Sequence, residues 1–279
     1  TRQHQKYVSL LFLESSMNDT ESKIGEYTLQ FSIDLGDDSL MLGQRLTEWC
    51  RNAPMLEEDL AISNVALDFL GRANMYYEYA VELAKTTDGD FRNQSVDDIA
   101  YLRDSRAYRN LLIFEMPIGD FAYTMTRQLI VDLFNVEYFA LLSGSCDLDL
   151  AAIAAKTLKE SKYHLRRSHE WTLRLGDGTE ESHLRMQNAV DELWGYTPEL
   201  FEMTEAELGL LPAGISVDRA QLFDTWDARI SQILSEATLD HPPGDWQVTG
   251  GRAGIHTEHH GHLLSELQYL QRAYPGLNW

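Results

Sequence analysis

Between Tyr27 and Cys50, apolar residues recur every three or four positions, so that Leu35, Leu42, Leu46 and Trp49 fall on one stripe with Ser39 among them. This spacing predicts a helix, and Pro54 ends it because proline disfavours helical geometry in the residue before it. A second helix is predicted over 55–85, with acidic residues in the first turn, where they favour the helix dipole, and Val65, Phe69, Arg72 and Tyr76 as its inward stripe. After a mixed loop at 86–98, a short helix is expected near 101–114 and a Pro-Gly turn at 117–119. A third long helix, 121–144, presents Leu129, Asp132, Val136 and Phe139 together. The fourth, from 148 to Leu175, shares one face among Thr157, Ser161, His164, Ser168 and Trp171 and stops at the "GDG" of 176–178. No run of alternating β-branched residues occurs, so the pattern predicts an all-α chain. Four long amphipathic helices make a four-helix bundle, with flanking helices near 180–207, 218–237 and 256–273. The Pro/Gly-rich stretch 239–254 is expected to cross the surface as a loop.

Composition narrows this picture. The 279 residues, 44% hydrophobic and 24% charged, suit a soluble protein with a sizeable core. No linker divides the chain, so 17–279 is expected to be one domain; residues 1–16, preceding Met17 and fitting no motif, are expected to be an N-terminal appendage, non-native or disordered. No stretch approaches the roughly 18 apolar residues that span a bilayer. "YVSLLFL" is too short and is followed by acidic residues instead of a signal-peptide cleavage site. Cys50 and Cys146 are too few for a disulfide framework and favour a reducing cytoplasm. A formal charge of −21 argues against nucleic acid and anionic membranes as partners.

Candidate chemistry begins with "KTLKESKYHLRRSHEW", 156–171. In carboxylate-bridged di-iron proteins of the ferritin-like class, a Glu-x-x-His pair on a bundle helix points at the metal. Here His164 is present but Ser161 stands three residues before it, and Glu160 is rotated about 100° from that face. Two highly charged ions need about four carboxylates and two histidines. Equivalent depths on the four stripes supply Ser39, then Phe69 and Arg72, then Asp132, then Ser161 and His164. Only Asp132 and His164 could ligate metal, and Asp68 and Glu160, one place off the stripes, are expected to point elsewhere. The residues therefore suggest a degenerate site, with an independently active metal-binding oxidase using Asp132 and His164 as the alternative.

Three long segments carry a specific resemblance: "LGDDSLMLGQRLTEWCRNAPMLEEDLAISNVALDFLGRA", "AAKTLKESKYHLRRSHEWTLRLGDGT" and "GGRAGIHTEHHGHLLSELQYLQRAYPGLNW". Through them the chain resembles the PaaC family, the C component of the bacterial phenylacetyl-CoA epoxidase, over nearly everything after Met17. The resemblance implies an all-α, ferritin-like four-helix bundle and a non-catalytic structural role, with no cofactor in this chain. It implies catalysis on a related catalytic subunit, the A component of the same complex, where di-iron activates dioxygen. Electrons would come from NADPH through a separate reductase, and a B component would join the larger assembly. The resemblance also implies that Ser39, Phe69, Arg72 and Ser161 stand where the catalytic relative has ligands, beside Asp132 and His164. A buried Asp132 needs a partner, and a guanidinium supplies charge and two hydrogen bonds, so Arg72 is expected to pair with Asp132 in place of metal. The alternative has Arg72 reaching solvent and Asp132 bonded to His164 or a tyrosine.

Other candidates weigh less. His256, His259 and His260, with Glu258 and His262 nearby, could form a ligand face, but match no known catalytic spacing and more simply open the last helix. No nucleophile elbow or P-loop occurs. The basic residues of "KYHLRRSHEW" could touch an acidic ligand such as coenzyme A, though an exposed basic stripe is usually solvated. Tyr76, Tyr77, Tyr79 and Trp279 are candidates for an interface.

Overall fold

The computed structural model describes residues 2–87 and 89–277, with side chains from Glu21 onward. Four long helices form the bundle: α1 (Arg2–Thr47), α2 (Leu56–Ala84), α5 (Phe121–Leu142) and α6 (Leu148–Gly176). Between α2 and α5 lie α3 (Val96–Tyr101) and α4 (Leu112–Glu115). After α6 come α7 (Glu180–Leu193), α8 (Glu205–Leu210), α9 (Phe223–Glu236), α10 (Glu258–Leu267) and α11 (Tyr269–Ala273). No strand occurs among the described residues, so the all-α expectation holds. The expected boundary at Met17 falls among side chains outside those described, as does Trp279.

The starts of the later helices follow from local chemistry. Asp120 accepts from the Tyr123 amide, Asp147 from the Asp149 and Leu150 amides, and Thr179 from the Ser182 amide, each satisfying donors that a helix N-terminus leaves unpaired. The short helix expected near 101–114 is not continuous. Tyr101 ends α3, a bend and a single 3₁₀ turn follow, and α-helix resumes only at Leu112–Glu115, because this segment spends its polar groups on α1: the Arg109 and Leu111 amides donate to Asp37 and Asp38.

Packing then closes the bundle. Helix α1 lies along α2, α5 along α6, and α2 meets α6 across the centre, while α7 and α9 cover the α5–α6 pair and α8 and α10 cover α1. Leu35, Leu42, Leu46, Val65, Phe69, Tyr76, Leu129 and Phe139 are all buried, as the stripes predict. Gly36 lets the first two helices meet closely, since a Cβ there would run into the Tyr77 ring. The segment 238–257 crosses the molecule as an extended strap, with Trp246 seated where Gly195 leaves no side chain.

Candidate functional site

Ser39, Phe69, Arg72, Asp132, Ser161 and His164 all lie in the bundle interior. Each stripe thus faces the core at these positions. The side chains there do not make a metal site. Ser39 turns back to donate to the Leu35 carbonyl at 2.8 Å. Phe69 stacks on the His164 ring with centroids 5.5 Å apart. Ser39, Phe69 and Arg72 also line a small internal cavity of about 20 Å³, closed by Phe134, Tyr138 and Phe139 and large enough for roughly one water.

The expected Arg72–Asp132 pair does not form: no nitrogen–oxygen contact within 4.0 Å joins them. Asp132 instead accepts from the Ser168 hydroxyl at 2.9 Å, a partner that neither expectation named. Arg72, 2% exposed, lies over the Phe69 ring at 4.4 Å and the Phe139 ring at 5.1 Å, and its Nε and Nη2 have no hydrogen-bond partner. The aromatic faces hold the guanidinium by cation–π attraction, which competes with a carboxylate for its position. Burial lowers the Arg72 pKa, and the charges of Glu160, Asp132 and Asp68 oppose that shift from a distance. Burial likewise pushes the Asp132 carboxyl up to about 6, against the pull of His164, Ser168 and Arg72.

Asp68 and Glu160 do not point elsewhere, as expected from their offset, but into the α2–α6 seam. The 100° rotation from the stripe turns each toward the neighbouring helix rather than outward. Asp68 Oδ2 lies 2.9 Å from His164 Nε2 and fixes that ring. Glu160 is mostly buried, with Oε2 unpartnered, and burial raises its pKa. Even so, the donor atoms of Asp68, Asp132, Glu160 and His164 do not converge three at a time on one point, and a cationic guanidinium lies among them. The residues present do not fit a di-iron centre.

One convergent set does exist among the described residues: Glu115, His256 and His260. His259 and His262 take no part; the His259 carbonyl accepts from Arg45 Nη2 instead. Glu115 accepts from His256 Nδ1 at 2.7 Å, the Thr257 amide at 2.6 Å and Asn110 Nδ2 at 2.9 Å. His256 Nε2 lies 3.0 Å from the Tyr108 carbonyl, so both ring nitrogens face oxygens of the chain itself and neither is turned toward an open metal position. The His256 and His260 rings lie 3.8 Å apart and within 13° of parallel. A metal bonds in the plane of an imidazole, and no ion can lie in two parallel planes at that spacing. The cluster is a hydrogen-bonded latch at the start of α10. Burial alone would raise the Glu115 carboxyl, but the bonds from His256, Thr257 and Asn110 hold it below the usual range, while burial and the neighbouring His256 push His260 down to about 4.

Sequence reasoning missed a set of buried ion pairs that tie distant segments together. Arg103 bonds Asp37, which also accepts from the Tyr77 hydroxyl at 2.6 Å. Arg252 of the strap reaches Asp38 at 2.6 Å, and Arg219 lies 2.8 Å from Glu207. Glu199 accepts from the amides of Leu112, Gly250 and Gly251 at 2.7–2.9 Å. The available signal was the adjacent Asp37 and Asp38 inside an otherwise apolar stripe. Tyr76 and Tyr77, expected as interface candidates, are core residues, and Tyr79 is half-buried against Asp147. Cys50 and Cys146 are free and exposed, and no helix among the described residues is long and apolar enough to cross a membrane.

The chain is 46% identical over 258 residues to the C component of the 1,2-phenylacetyl-CoA epoxidase of Escherichia coli (strain K12), a match covering 92% of this chain and all of that protein. The family model described as phenylacetic acid catabolic protein, PaaA_PaaC, matches residues 14–279. On both matches, the chain belongs to the phenylacetic acid catabolic protein family.

Proposed function

We propose that this chain is a non-catalytic structural subunit of a multicomponent phenylacetyl-CoA epoxidase, supporting the di-iron catalytic subunit (the A component) together with the B component and an NADPH-fed reductase. The observation that carries this reading is Arg72: a buried guanidinium, clasped by Phe69 and Phe139, stands among the residues that would have to hold two cations. The likeness to the C component of an epoxidase supports the assembly in which the chain would act. The second reading, an independently active oxidase built on Asp132 and His164, draws on the bond from Asp68 to His164, which adds a carboxylate beside the histidine.

Iron content and phenylacetyl-CoA-dependent NADPH oxidation separate the two. The expected result is that the purified chain binds no stoichiometric iron and is inactive alone, while co-expression beside the catalytic partner, with reductase added, gives turnover. Two irons per isolated chain, with turnover, would establish the oxidase reading instead.

A further inference from the structure

The chain has six lysines, and three of them, Lys156, Lys159 and Lys162, lie exposed on α6 within seven residues. Arg166 continues the same outward face. In a molecule of charge −21, cations should find carboxylates easily. Lys156 is near Glu160, at 3.8 Å, but Lys159, Lys162 and Arg166 enter no ion pair among the described residues. Arg166 lies over the exposed Tyr163 ring, 5.5 Å from its centroid.

The neighbouring helix is unusual in the complementary way. The seam between α2 and α6 is marked by Glu58 with Arg167, Asp68 with His164 and Met75 with Lys156. Beside that seam, each exposed α2 residue between Glu57 and Glu78 is uncharged: Leu60, Asn64, Leu67, Gly71 and Asn74. Leu60 and Leu67 are 59% and 64% exposed, Tyr163 on the other side 49%, and a Cβ on Gly71 would meet nothing within 4 Å. An apolar strip of leucines and a tyrosine, bordered by unpaired cations, has the anatomy of an interface core with a polar rim.

We propose that this outward face of the α2–α6 seam docks another polypeptide of the epoxidase through an acidic surface on that partner, an inference resting on the structural reading above. The charge pattern selects the partner's chemistry. A field of −21 repels an anionic protein everywhere except where the local sign is reversed, so the basic face both steers the encounter and fixes its register. The leucines give the contact an apolar area that a bound phosphate would not use.

The test compares two charge reversals of equal size in the full chain, each co-expressed with the other epoxidase components of the same genome. One carries K159E, K162E and R166E; the control carries K23E, R185E and R272E, all exposed cations outside α2 and α6 that already contact carboxylates of this chain. Thermal melts verify that both remain folded. The expected result is at least a tenfold loss in affinity for the partner components with the first variant, and little change with the control. Equal losses, or none in either, would overturn the docking face. So would a homodimer of the unaltered chain that the first variant abolishes, or a loss of coenzyme A binding with assembly intact. If the unaltered chain does not assemble at all, the structural reading falls and this inference with it; normal assembly of the first variant sinks the docking face alone.

Discussion

Asp132 illustrates what the bundle interior does to a single group. It is 1% exposed, has one hydrogen bond, and its carboxyl is raised to about 6 because burial outweighs its neighbours' attraction. A folded-state pKa above the unfolded value means that the native state holds its proton more tightly, so ionisation costs stability above about pH 6 and the penalty vanishes once both states are protonated, below about 4. A two-unit difference corresponds to about 3 kcal/mol. Asp132→Asn keeps an acceptor for Ser168 and removes the charge, so urea unfolding at pH 8 is expected to show the variant about 1–3 kcal/mol more stable, with the difference gone at pH 4. An undiminished difference at pH 4 would mean that shape rather than charge is responsible. The stripe periodicity placed Asp132, Arg72 and His164 on the buried faces of their helices. It could not say where long side chains end: Arg72 has arm enough to choose two phenylalanine faces, and Asp68 and Glu160 are turned into the seam by a helix rotation that spacing alone does not orient.

Among the elements, the long helices were legible because each combines a 3.6-residue stripe with a recognisable stop. The segment 101–114 was not, since its apolar residues suggested a helix while its amides are committed to α1. The strap was legible only as a loop; what holds it is remote in sequence. Glu199 takes three backbone donors from two segments, and Gly251 approaches Asn110 so closely that a side chain could not fit. Removing the acceptor strands those amides. Glu199→Ala is expected to cost about 2–4 kcal/mol. Hydrogen exchange should show the Gly250 and Gly251 amides opening well before the α5 core; if they stay as protected as before, the glutamate is not what fastens the strap.

At the level of the whole molecule, the charge of −21 was plain from composition, but its distribution was not: several arginines are spent in buried pairs, and Lys156, Lys159, Lys162 and Arg166 cluster on one face of α6. Self-repulsion of the remaining carboxylates opposes the compact state. Raising ionic strength from 0.01 to 0.15 M shortens the screening length from about 30 to about 8 Å. The melting temperature of the isolated chain is therefore expected to rise with salt over that range. A falling melting temperature would show that attractive pairs dominate the exposed surface.

The Arg252–Asp38 pair joins residues 214 positions apart. During synthesis at about 5–20 residues per second, Asp38 leaves the ribosome roughly 10–40 s before the arginine that neutralises it has been made. Asp34, whose carbonyl also receives Arg252, waits just as long. The first two helices can pair early, but their aspartates remain without this counter-charge until translation is nearly over. The fold is thus completed from its far end, and a ribosome that stalls before residue 252 would release a bundle whose α1 still carries uncompensated acid in its core.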